Sequence, residues 1–131
     1  MTQLKDFKDL VVWQKSYALT KLIYALTDRP PFKRDVRLLG EIRGSAITVG
    51  SKIAAAFAVR GNGYANECLN LSKAACNGLK MQLTLVHQQG WLTLSEYEEL
   101  ATRIVEIRQM LFDLEQTFDF WYNHPHNEDT E

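Results

Sequence analysis

The chain has 131 residues, 46% hydrophobic and 24% charged, with a formal net charge of −1. That is enough for one domain with a real core and too few for two comfortable ones. The balance excludes a disordered chain and a strongly basic surface built only for nucleic acid, and no apolar run approaches the ~20 residues of a membrane span.

The opening MTQLKDFKDL lacks the apolar core of a secretory signal. Cys68 and Cys76 fall on one expected helix, about 12 Å apart at the helical rise, too far for a disulfide with each other. They read as small core residues in a reducing, cytoplasmic setting. Charge is split along the chain. Residues 1–80 hold thirteen Lys and Arg against six Asp and Glu, whereas residues 81–131 hold two against ten. The split either makes one basic and one acidic face or is neutralised as helices and subunits associate.

The first helix is expected from Phe7 to Thr27, capped by Asp6 and stopped by Arg29-Pro30-Pro31. Its apolar residues form two sectors. Leu10, Trp13, Tyr17 and Tyr24 lie in one, and Val11, Ala18, Leu19, Leu22, Ile23 and Leu26 lie in the other. One face meets the core. The other either binds a second copy of the chain, with Trp13, Tyr17 and Tyr24 as interface residues, or lies half exposed through its polar tips. The loop that follows carries Arg29, Lys33 and Arg34, with Arg37 beyond, which either hold phosphates or are simply solvated.

The second helix, Val36 to Arg60, organises the rest. Asp35 or Pro31 marks its start. Leu39, Ile42, Ala46, Val49, Ile53 and Ala56 make a heptad stripe. Gly44 and Gly50 sit inside the helix, each at a cost of about 1 kcal/mol relative to alanine. Something therefore comes close to this backbone, either a neighbouring helix or another subunit. Gly61-Asn62-Gly63 closes the helix with two glycines able to take positive φ.

The third helix is expected from Tyr64 to Gln89, with Gly90 just past its end. Its stripe is Ala65, Leu69, Ser72, Cys76, Leu79, Leu83 and Val86, with small residues Ala74, Ala75 and Gly78 at mid-length. The fourth helix opens on a capping box, Thr93-Leu94-Ser95-Glu96, with Leu92 and Tyr97 as a hydrophobic staple. Its stripe runs Tyr97, Leu100, Ile104, Ile107, Leu111, Leu114, Phe118, Trp121. Residues 123–131 are polar and acidic and are expected to be a disordered tail. Four long helices with short connections predict an all-α, antiparallel up-down-up-down four-helix bundle spanning residues 1–122.

The chemistry-bearing residues form no catalytic pattern. There is no phosphate-binding glycine loop, no HExxH and no CxxC. A di-iron bundle needs Glu-x-x-His, and Thr84 stands three residues before His87. His124 and His126 flank Pro125 without further ligands. Serines 45, 51 and 72 have no histidine in register. The expectation is a protein that is not an enzyme and that holds no metal or cofactor. The candidate surface is polyanion-binding: Arg43, Lys52 and Arg60 on the second helix, Lys73 and Lys80 on the third. On the second helix the three point in different directions, so only a symmetric assembly would repeat them as a patch.

Phe7-x-Asp9-Leu10-x-Val12-Trp13-Gln14-Lys15 resembles the opening of bacterial four-helix-bundle proteins encoded in intervening sequences of large ribosomal RNA genes. Ile42-Arg43-x-x-Ala46-Ile47-x-Val49-x-Ser51-x-Ile53-Ala54, Arg60, Leu79-x-x-Gln82-Leu83 and Trp91-Leu92 are similar to the rest of that family's pattern. The chain departs from it at Lys52-Ile53-Ala54-Ala55-Ala56, where Asn-Ile-Ala-Glu-Gly is usual. It departs again at Gly78, usually Glu, and at Lys80, often acidic. These changes remove acid or add base, which tilts the expectation toward polyanion binding. The family in turn is similar to the accessory variability determinants of diversity-generating retroelements. That resemblance implies a homopentameric ring that binds RNA or DNA and partners a reverse transcriptase, with no membrane role. The competing expectation is an interaction module whose basic residues are consumed in ion pairs.

Overall fold

The computed structural model describes residues 4–124. Four helices pack as a bundle: α1 (Val11–Leu26), α2 (Val36–Ala58), α3 (Tyr64–Gln88) and α4 (Leu94–Asn123). Contacts between side chains fix their directions. Ser16 meets Gly50 while Thr20 reaches the Ala46 carbonyl, so α1 and α2 are antiparallel. Asn66 meets Asp119 and Thr84 meets Tyr97, so α3 and α4 are too. Lys15 pairs with Glu106 and Arg29 with Glu96, which closes the square between α1 and α4.

The heptad stripes form the core. Ile42, Val49, Ile53, Leu69, Cys76, Leu79, Val86, Ile104 and Leu111 are fully buried. Burial pushes the Cys76 thiol up to about 11, against a smaller downward pull from Arg108. Cys68 and Cys76 are both free thiols. Ser72 is tolerated inside because its hydroxyl donates to the Val49 carbonyl at 2.9 Å.

The helix ends show which local rules prevailed. α4 starts as expected: Thr93 Oγ1 accepts from the Glu96 N–H at 3.1 Å, and Glu96 Oε1 accepts from the Thr93 N–H at 2.9 Å. Gly90, at φ 84°, ends α3, with the Trp91 N–H reaching back to the Val86 carbonyl at 3.0 Å. Asp35 caps α2 through the Leu38 N–H at 3.0 Å.

Two expectations are corrected. The first helix begins at Val11, not Phe7. Asp9 Oδ2 accepts from the Lys5 and Asp6 N–H groups, winding Phe7–Asp9 into a 3-10 turn, and Leu10 is extended beyond it. The other correction is at Gly61-Asn62-Gly63. Among the described residues only Gly90 has positive φ. α2 instead ends by tightening, Val59 N–H to the Ala56 carbonyl and Arg60 N–H to that of Phe57. Asn62 then opens α3 by accepting from the Tyr64 N–H at 2.8 Å. α4 runs on to Asn123, into the first residue assigned to the tail, and residues 125–131, His126 included, lie outside the described residues. No helix among the described residues is long and apolar enough to cross a membrane.

Glu96 serves twice. Besides capping α4 it forms a two-pronged ion pair with Arg29, one prong Arg29 Nη1 to Oε1 at 2.9 Å. The Arg29 hydrogen bond leads, and the Thr93 N–H follows, in holding the Glu96 carboxyl at about 2, below its ordinary 4.5. A depressed carboxyl stabilises the fold above its unfolded value and loses that contribution as pH falls. Urea unfolding should therefore show Glu96→Ala less stable than wild type by about 1 kcal/mol at neutral pH, the exposed side of the pair being screened. That gap should narrow below pH 4.5 and close toward pH 2.

Candidate interaction surface

The five basic candidates have different fates. Arg43 turns back onto α1: Nε donates to Thr27 Oγ1 at 3.0 Å, Nη2 donates to the Tyr24 carbonyl at 3.3 Å, and the guanidinium lies 4.4 Å from the Tyr24 ring centre. It caps the end of α1. Arg60 donates to the Phe57 carbonyl at 2.8 Å and lies over the Phe57 ring. Lys73 pairs with Glu115 at 2.9 Å, with both side chains largely covered, and sits over Phe112. Lys52 and Lys80 have no ion-pair partner among the described residues. In the loop, Arg29 is held by Glu96 and Lys33 lies 3.7 Å from Asp28. The monomer thus assembles no continuous cationic stripe.

The aromatic candidates line the outer seam of α1 and α2. Trp13 packs edge-on to Phe7 at 5.0 Å and stacks on Tyr17 at 5.2 Å. Tyr17 is 53% exposed and Tyr24 39%, and on α2 Ile47, next in sequence to the Ala46 carbonyl that Thr20 reaches, is 48% exposed. Together they make a ridge.

The two interior glycines separate. A Cβ on Gly50 would lie 3.0 Å from Ser16 Oγ and 3.6 Å from Trp13 Nε1, so α1 of the same chain is what comes close there. A Cβ on Gly44 meets nothing within 4 Å, and the same is true of Gly78 on α3. Both line a shallow groove of about 490 Å³ between α2 and α3. Glu41, Gly44, Ser45, Thr48 and Lys52 form one wall, and Leu71, Ala74, Ala75, Gly78 and Gln82 the other. The groove's surroundings are unusual for a solvent-facing surface. From Gly44 to Ala58 the one charge is Lys52, and from Cys68 to Gln89 the charges are Lys73 and Lys80. Lys73 is turned toward α4. Leu71 and Met81 are more than half exposed beside the groove. By contrast, the outer side of α4 carries Glu98, Glu99, Arg103 and Glu106, an ordinary solvated face with Arg103 bonded to Glu99.

Replacing Gly44 or Gly78 by alanine should raise intrinsic helix stability by up to about 1 kcal/mol each. Gly50→Ala should gain little or lose, since its Cβ must displace the Ser16 hydroxyl that donates to the Trp13 carbonyl. Parallel urea titrations of the three variants check this.

Among the described residues no group of three or more His, Cys, Asp or Glu side chains is placed to hold a metal. The buried hydroxyls of Ser16, Thr27 and Ser72 donate to backbone carbonyls. His87 stacks on Tyr97 at 4.9 Å, and its Nδ1 faces the Leu92 carbonyl at 3.2 Å.

The fold and surface define a class: an all-α four-helix bundle with a sparsely charged outer groove between α2 and α3, edged by Glu41 and Lys52. The chain belongs to the 23S rRNA-intervening sequence protein family, whose family model matches residues 8–113. No curated protein and no solved structure matches the chain.

Sequence reading missed Arg108. It lies on α4 beside the Ile104, Ile107, Leu111 stripe, at a flanking position where coiled helices place interhelical charges. That position was the available signal.

Proposed function

We propose that the chain works as a homo-oligomeric ring, five copies in the reading the family resemblance implies, and scaffolds other molecules without chemistry of its own. The sparsely charged, small-residue groove between α2 and α3 carries this reading. A monomer gains nothing from keeping Gly44 and Gly78 open and Leu71 and Met81 in water. The Trp13, Tyr17, Tyr24 and Ile47 ridge lies one seam away from the groove. Adjacent seams of a four-helix square sit roughly at right angles, and a head-to-tail contact across that angle closes a ring of about four or five copies. The ridge of one copy fills the small-residue groove of the next.

Disulfide trapping tests the pairing. In a chain with both native cysteines replaced, Tyr17→Cys together with Ala74→Cys should give a ladder of covalent oligomers that stops at the ring. Each single variant should give none. Cross-linking by a single variant, or no ladder from the pair, would contradict the head-to-tail contact.

A second reading is a nucleic-acid-binding accessory, such as the partner of a reverse transcriptase. Lys52 and Lys80, the candidate cations whose side chains have neither an ion pair nor a hydrogen bond nor a ring contact among the described residues, favour it. A ring repeats them in every subunit. Binding to short RNA or DNA should then weaken steeply with salt, and the slope should flatten in Lys52→Gln and Lys80→Gln. No binding at moderate salt would remove this reading and leave the scaffold.

A further inference from the structure

The seam between α3 and α4 is a ladder of polar rungs. Asn66 Nδ2 donates to Asp119 Oδ1 at 2.5 Å, Lys73 pairs with Glu115 at 2.9 Å, and Thr84 shares a hydrogen bond with Tyr97 at 2.7 Å. Between the second and third rungs the pattern breaks. Lys80 stands there on α3, one turn before Thr84 and two turns after Lys73, on the same side of the helix. The register of the antiparallel seam sets Arg108 of α4, seven residues before Glu115, across from Lys80, seven residues after Lys73. Arg108 Nε is buried and has no hydrogen-bond acceptor. No carboxylate among the described residues pairs with Arg108 or with Lys80. On α4 the nearest acid, Glu106, is engaged with Lys15 on the opposite side. The rung therefore holds two cations and lacks an acceptor.

We propose that this open rung is a binding site for a phosphate group, with Arg108 and Lys80 as its ligands. A guanidinium edge offers parallel N–H donors to two oxygens of a tetrahedral oxyanion, and a flexible ammonium completes the cradle from the other helix. Bound phosphate supplies the acceptor that Arg108 Nε lacks and removes the repulsion between the two cations. The phosphate comes either from a nucleic-acid backbone or from a small phosphorylated molecule. The first source deepens the accessory reading above, but the site does not depend on it.

The test is titration of the full chain with inorganic phosphate at constant ionic strength, followed by amide NMR shifts. Wild type should saturate, with the largest shifts around residues 76–80 and 105–109. Affinity should fall at least tenfold in Arg108→Gln and in Lys80→Glu and stay unchanged in Lys52→Gln. Lys80→Glu also supplies an acceptor from within the chain, so it should melt higher than wild type in phosphate-free buffer. Phosphate shifts no larger than those from chloride, or undiminished binding by both variants, would overturn the proposal. Competition by short RNA assigns the site to a nucleic-acid backbone. Phosphate binding that RNA does not displace assigns it to a small phosphorylated ligand, and the accessory reading then fails while the site stands.

Discussion

Gly78→Leu is expected to split the proposed ring into single chains that remain folded. The side chain points into the groove between α2 and α3, where a Cβ meets nothing of its own chain within 4 Å. Leucine is a far better helix former than glycine, so the isolated bundle should be no less stable than wild type. Yet the same four carbons would occupy the space that the proposed neighbour's ridge fills, and overfilling a close-packed contact is destabilising by about 1–3 kcal/mol per site. Repeated around a ring, that penalty acts at every interface, so the loss of assembly should be steep. Circular dichroism should stay helical while the hydrodynamic size falls. A variant that keeps the wild-type size would place the contact elsewhere.

Ile53→Ala is expected to have the largest effect on the fold itself. Ile53 is 0% exposed in the C-terminal half of α2, within the shared core of the bundle. Truncating it leaves a cavity and should cost about 2–5 kcal/mol, a large part of the ~5–15 kcal/mol that holds a domain of this size together. The melting temperature should drop by roughly 10 °C or more. Met81→Ala is the matched control. Met81 is 65% exposed in the single chain, so its truncation should change monomer stability by less than about 0.5 kcal/mol. The two variants separate what the core holds from what the proposed interface holds.

What was legible in the sequence follows distance along the chain. The Thr93–Glu96 box and the Gly90 stop are settled within a few residues, and both stand where the pattern puts them. The heptad stripes are legible because their period matches the helix: the α3 stripe is buried throughout, and the α2 stripe is buried except at Leu39, which is half-buried, while Phe57 is buried outside it. The start of α1 was not legible, because Asp9 accepts two backbone N–H groups that a regular helix would have used otherwise.

The candidate site was legible only in part. The cost of an interior glycine announces a close approach but not its partner. Gly50 turned out to meet Ser16 of its own chain, while Gly44 and Gly78 face outward. The basic residues were harder still. Arg43 and Lys73 find their partners 16 and 42 residues away, on other helices. No local pattern distinguishes them from Lys52 and Lys80. Arg108 becomes informative once α3 is seen beside it.

The mass of the purified chain in solution, measured by multi-angle light scattering over a wide concentration range, tests the central claim most directly. A ring of five predicts a mass about five times the 15.1 kDa of one chain, held on dilution. A stable particle of 15.1 kDa at high concentration would contradict it, because the open glycine groove and its exposed Leu71 and Met81 would then be facing water in the working protein.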